Sequence, residues 1–181
     1  MVKTVSIAPT SAPFISRNIA ARVLLAEVDE PTTSVLHDCF KQFGIHTVSS
    51  NADCEKRLHK EKFEACVVPL GRADAEQILT AARNSASNSR IVIYGISRDT
   101  QEAMRYSKLG INAVISHPVE RQSALKVVRS THLLVVHELR RYVRLPVVAA
   151  VKVDLGKNSF TATTAEISAG GISMKTDVAF I

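Results

Sequence analysis

Between Arg22 and Val136 a short, largely apolar run and an amphipathic segment alternate five times, and this alternation constrains the fold more than any other property of the chain. The runs are RVLLAEV from Arg22, IHTVSS from Ile45, EACVVPL from Glu64, RIVIYGI from Arg90 and INAVIS from Ile111. Short apolar runs bounded by turn residues fit strands buried on both faces, as in a parallel sheet. The segments between them carry helical spacing. Asp29-Glu30-Pro31-Thr32-Thr33 supplies a turn and a helix start, Val35, Leu36, Cys39, Phe40 and Phe43 follow at helical intervals, and Gly44 ends the helix. Further helices are expected over Ala52 to Lys60, Ala73 to Ser85 and Thr100 to Leu109, the last ended by Gly110, and a long one starts near Glu120. Five strand–helix repeats predict an α/β fold with a five-stranded doubly wound parallel sheet.

The 181 residues allow one large domain or two modest ones. Residues 1–20 mix Ser, Thr, Ala and Pro, with Pro9 and Pro13 interrupting any helix, and are expected to form a flexible N-terminal extension. The sheet domain is expected over 21–137 and a second module over 138–181. The net charge of +6 is spread along the chain with no polycationic tail, which disfavours a nucleic-acid partner. No apolar run approaches the length of a membrane span. Cys39, Cys54 and Cys66 are odd in number and lack CxxC spacing, and the N-terminus lacks a signal-peptide pattern, so a cytoplasmic location is expected. The six histidines form no ligand spacing, so no metal site is expected. No Gly-rich phosphate loop follows the first strand and no nucleophile–base constellation stands out, so neither an enzyme nor a cofactor is expected.

In the last helix Leu125, Val128, His132, Val135, Leu139 and Tyr142 recur at alternating steps of three and four. This seam fits a rigid arm between modules, pairing with a second chain along Glu120 to Tyr142, or cover for the sheet.

The block from Arg22 to Val136, including the Gly-Ile-Asn-Ala-Val-Ile-Ser-His-Pro passage, resembles a response-regulator receiver domain. The resemblance implies a receiver/flavodoxin-like fold with a phosphorylation site at the carboxyl ends of the strands. There, two acids and an acceptor aspartate hold Mg²⁺, a Thr or Ser ends strand four, and a Lys precedes Pro in strand five. Matched by pattern, the acid pair falls on Glu27 and Val28, the acceptor on Pro69, the Thr/Ser on Gly95 and the Lys on His117. Proline offers no nucleophile, and one carboxylate is a poor Mg²⁺ site. The expectation is a degenerate pseudo-receiver that is not phosphorylated on aspartate and serves as an interaction platform for a signalling protein. The family also implies a cis bond at His117-Pro118.

Beyond this block, Arg140, Arg141 and Arg144 precede a Val-rich run, and Glu166-Ile167-Ser168-Ala169-Gly170-Gly171 follows about twenty residues later, a hairpin-scale separation. Arginine can grip phosphate at two points and stack on a base, and glycine lets a backbone approach closely. The pair resembles the PilZ domain, the bacterial receptor for cyclic di-GMP, which carries Arg-x-x-x-Arg before its first strand and Asp/Asn-x-Ser-x-x-Gly after its second. Arg140 and Arg144 match the first motif, Ser168 and Gly171 the second, and Glu166 departs from the Asp/Asn. The resemblance implies that the arginines take phosphates and stack on guanine, that Ser168 donates to a phosphate and that Gly171 leaves room. Glu166 either accepts from guanine or is an exposed strand carboxylate. The 44 residues after His137 are fewer than that family's barrel uses, so only the first part of a barrel is expected. Val178, Phe180 and Ile181 would begin a further strand, and the chain is either a fragment or is completed by another copy. The alternative to cyclic di-GMP sensing is an interaction or dimerisation module that binds no nucleotide.

Overall fold

The computed structural model describes residues 20–155 and 158–177. The expected N-terminal extension before Ala20 and the strand start at Val178, Phe180 and Ile181 lie outside the described residues. The chain divides into two units, one spanning Ala20–Leu139 and the other taking in the residues from Arg140 onward.

In the first unit the elements follow in the order β1 (Arg22–Ala26), α1 (Glu30–Lys41), β2 (His46–Ser50), α2 (Cys54–Lys60), β3 (Ala65–Pro69), α3 (Ala75–Asn84), β4 (Val92–Ser97), α4 (Thr100–Arg105), β5 (Ala113–Ser116) and α5 (Arg121–Tyr142), whose end passes into the second unit. A single 3₁₀ turn, Ser107–Leu109, separates α4 from β5, so the expected helix over Thr100 to Leu109 is shorter than its spacing suggests. The strands pair in the order β2-β1-β3-β4-β5, all parallel.

The period-2 geometry of a strand divides each buried run between two layers. Val23 and Leu25 of β1 face Leu36 and Phe40 of α1 and Val128 and Val135 of α5, while Leu24 and Ala26 face Leu58 of α2 and Leu79 of α3. A fully buried Leu contributes about 2 kcal/mol, and a solvent-exposed pair such as Lys56–Asp53 at most about 1 kcal/mol. The sheet's burial therefore sets the fold. The seam along α5 belongs to this layer: Val128 and Val135 are buried, Leu125 and Leu139 pack against them, and His132 stacks on Phe43 with ring centroids 4.9 Å apart. Those residues cover the unit's own sheet instead of forming a free dimer seam. Leu133 and Leu134 are the apolar side chains α5 leaves exposed along this stretch.

Polar groups inside the unit are matched. Tyr94 Oη and Thr131 Oγ1 lie 2.8 Å apart, and burial pushes the Tyr94 phenol up to about 12. Asn88, fully buried, ties two loops together. Its Nδ2 donates to the carbonyls of Leu58 (2.6 Å) and Glu61 (2.7 Å), and its Oδ1 accepts from the Phe63 amide (2.8 Å).

In the second unit β6 (Leu145–Pro146), β7 (Ala150–Leu155), β8 (Asn158–Ser168) and β9 (Gly171–Lys175) form a four-stranded antiparallel sheet with β8 as its spine. Thr163 lies between Ala150 and Lys175, and Ile167 between Leu145 and Ile172, so β6 and β7 share one edge of β8 and β9 takes the other. A bulge between Thr164 and Glu166 shifts the β8–β9 register.

Replacing Asn88 by Ala strips the Phe63 amide and the Glu61 carbonyl of their Asn88 partner and leaves the Leu58 carbonyl with the Ser85 hydroxyl alone, at 2.7 Å. Asn88→Ala is expected to lower the unfolding free energy by about 3 kcal/mol, measured by urea denaturation. A pH effect follows from Glu61, whose carboxylate accepts from Arg57 Nε (2.7 Å) and Arg22 Nη2 (2.7 Å). The hydrogen bonds from Arg57 and then Arg22 hold its carboxyl at about 2, below the ordinary 4.5. A depressed acid stabilises the fold fully above its unfolded value and loses that contribution as pH falls through its folded value. Wild type should exceed Glu61→Gln by about 1 kcal/mol at about pH 7, the solvent-screened scale, and this gap should narrow as pH falls towards about 2.

Candidate functional site

At the carboxyl ends of β1, β3, β4 and β5 the first unit carries a cleft of about 280 Å³. Glu27, Asp29, Arg72, Arg98, Glu102 and His117 supply its ionisable groups. Glu27 follows β1 in left-handed backbone (φ 52°), its amide donating to the Ser50 carbonyl at 2.8 Å. Val28 turns the other way and packs against the core. The next carboxylate in the cleft is therefore Asp29, which also caps α1 by accepting from the Thr32 amide at 3.0 Å. That backbone hydrogen bond, with the Thr32 hydroxyl and the nearby His117 ring as lesser causes, holds the Asp29 carboxyl below its ordinary range.

Pro69 ends β3 at the cleft wall and pairs with Ile96. The wall residue of β4 is Ile96, one position on from the expected Gly95. A Cβ on Gly95 would stand 2.7 Å from Leu70 Cδ1, which leaves no room for a larger residue there. His117 borders the cleft, its amide donating to the Ser97 carbonyl at 2.7 Å, and the His117–Pro118 bond is cis. Glu102 accepts from the Ser97 hydroxyl and the Arg98 amide, both at 2.9 Å.

Arg72 dominates the cleft's electrostatics. Its guanidinium donates to the Glu27 carboxylate and places Nε 2.9 Å and Nη2 3.1 Å from the two Asp74 oxygens. The hydrogen bond to Asp74 raises Arg72 above its ordinary value, and the same bond lowers Asp74. A magnesium ion does not fit this donor set. The strand-three position offers proline, Asp29 is engaged as a helix cap, and Glu27 holds a guanidinium. Sequence pattern singled out Glu27, Pro69 and His117, and all three border the cleft. It read Asp29 as part of a helix start and passed over Arg72, Arg98 and Glu102, although Arg72-Ala73-Asp74 beyond β3 was there to be noticed.

In the second unit the expected ligand residues gather at the end of α5 and the β8–β9 turn. The Ala169 amide donates to the Arg140 carbonyl at 3.1 Å. Gly170 lies close enough to Arg141 that a Cβ would stand 3.3 Å from the Arg141 carbonyl oxygen. Within the turn Ser168 Oγ accepts from the Gly170 amide at 3.1 Å and donates to the Gly171 carbonyl at 3.3 Å. Gly171 has φ 154° and open space around its Cβ direction. Arg144 Nη1 is 3.9 Å from Glu166 Oε2, with both side chains about half exposed. Arg140 and Arg144 are exposed, and Arg141 is half-buried. All six positions expected from the sequence therefore belong to one neighbourhood. Among the described residues no cluster of metal-ligating side chains occurs, and no helix is long and apolar enough to cross a membrane.

No protein-family model matches the chain, and no curated protein matches it. Solved structures do. A sensor protein from Polaromonas sp. superposes with a TM-score of 0.54 at 16% identity, over 65% of this chain and 98% of its own. The receiver domain of a sensor histidine kinase from Pseudomonas aeruginosa, with magnesium in its active-site cleft, gives 0.53 at 13% identity over 65% and 98%. A chemotaxis protein of Vibrio cholerae gives 0.54 at 12% identity over 62% and 98%. At such identities the likeness is one of fold: the five-stranded unit has the receiver fold.

Proposed function

We propose that this chain is a bacterial signalling protein. In it a receiver-fold unit without phosphoryl chemistry serves as an interaction platform for a PilZ-like module that senses cyclic di-GMP. The observation that carries the sensing role is the gathering of Arg140, Arg141, Arg144, Ser168 and Gly171 around one turn. Exposed guanidinium groups suit the two phosphates and the guanine faces, Ser168 supplies a hydroxyl, and the Gly pair leaves the backbone open to a ligand. Ligand-driven ordering of the arginine segment would shift the population between two packings, which is the signalling step. The protein acts as a cytoplasmic receptor, not an enzyme, and needs no cofactor or metal. Self-association through α5 would use the face bearing Leu133 and Leu134.

One observation favours the second reading, an interaction module that binds no nucleotide. Glu166 reaches towards Arg144, the group a phosphate would take. An exposed pair of this kind is worth at most about 1 kcal/mol, whereas a charge-assisted phosphate contact is worth about 2. The pair weakens binding without abolishing it.

Calorimetric titration with cyclic di-GMP should give saturable heat with wild type and none with the Arg140→Ala/Arg144→Ala variant. Silence from wild type would leave the interaction-module reading in place. For the receiver-fold unit, incubation with Mg²⁺ and a small phosphoryl donor should leave the intact mass unchanged, because Pro69 offers no acceptor oxygen on its side chain. A gain of one acid-labile phosphoryl group would contradict the platform role.

A further inference from the structure

We propose that Arg72 is a built-in cation. Its guanidinium stands in for a divalent metal between Glu27 of the cleft and Asp74 beside it, and the receiver-fold unit is thereby indifferent to metal ions.

The two acids it joins come from separate elements. Glu27 sits just after β1, and Asp74 immediately precedes α3. Arg72 forks onto both Asp74 oxygens and reaches Glu27 with the same Nη2. A planar guanidinium with fixed donors satisfies two carboxylates at once, a service that a hard divalent cation otherwise performs with oxygen ligands. Glu27 holds Arg72 from a left-handed backbone (φ 52°), a conformation that L-residues seldom adopt.

The surroundings explain why a cation is needed. Glu27, which borders the cleft, meets Asp74 at a second cavity of about 280 Å³, lined further by Asp53 and Glu55. Lys56 answers Asp53 at 3.2 Å, and Arg72 is the partner of Glu27 and Asp74. Without Arg72, Glu27 and Asp74 would face a shared cavity as uncompensated acids. That is an oxygen-rich setting for Mg²⁺.

Thermal unfolding with and without Mg²⁺ tests this directly on wild type, Arg72→Gln and Arg72→Met. Gln keeps a donor for one carboxylate and guards against simple misfolding of the Met variant. Without metal both variants should melt below wild type. At Mg²⁺ about tenfold above Kd, each folded variant should gain roughly 3 °C and wild type less than about 0.5 °C. The gain should vanish in Arg72→Gln/Glu27→Gln. A wild-type rise as large as the variants', or no rise in a folded variant, overturns the proposal.

Discussion

Burial of β1, β3 and β4 on both faces is the constraint from which the rest of the first unit follows. Ala65, Cys66, Val67 and Val68 of β3 are all within 1% of full burial, so neither face can tolerate water. Helices must then cover both sides, and a parallel order needs a crossover between each pair of strands. The helices begin where the strands end, which collects loops at one edge of the sheet. The cleft lies at that edge for topological reasons, whatever residues occupy it.

Its chemistry is a separate matter. The scaffold holds six carboxylates about the cleft and its neighbour, and five of them are engaged in local contacts: Asp29 capping α1, Asp53 on Lys56, Glu102 on β4's end, and Glu27 and Asp74 on Arg72. Fixed internal pairing of this sort disfavours a site that must exchange a metal and a phosphoryl group. Catalysis of phosphoryl transfer is mostly positioning and charge neutralisation, and here the positive charge is covalently part of the chain. The receiver fold thus carries a fixed ion pair, Glu27–Arg72–Asp74, at the loop edge of its sheet.

The fold was legible because burial imposes periodicity. All five strands and the order of helices could be read from RVLLAEV to the helix near Glu120. What escaped was of shorter range. The α-helix stops at Arg105 and the chain continues as the 3₁₀ turn Ser107–Leu109, capped by Gly110 at φ 75°, a change of helix type that leaves the residue spacing much the same. Val28 and Gly95 each stood one position from the residue lining the cleft, because β1 ends in a left-handed turn at Glu27 and β4 presents Ile96 to that side. Arg72's pairing with Asp74, two residues on, was open to a local reading, but its pairing with Glu27, 45 positions away, leaves no local pattern. The α5 seam was visible, but a three–four repeat looks the same whether it packs on a sheet or on a second helix.

In the second unit the same logic explains why a short motif reads more clearly than the strands around it. Ala162 and Thr164 are buried along β8, and the sheet exposes Leu145, Ile167 and Ile172 in one cross-strand row. Hydrophobic alternation there is weak, so periodicity says little. The Ser168-Ala169-Gly170-Gly171 turn is instead fixed by backbone bonds: an amide on the Arg140 carbonyl, a hydroxyl bridging two turn residues, and a glycine where a Cβ would press on Arg141. These contacts use main-chain atoms of the arginine segment. The turn therefore fixes the backbone from which the arginines project, and Glu166 competes for Arg144 at a distance where solvent screens most of the attraction.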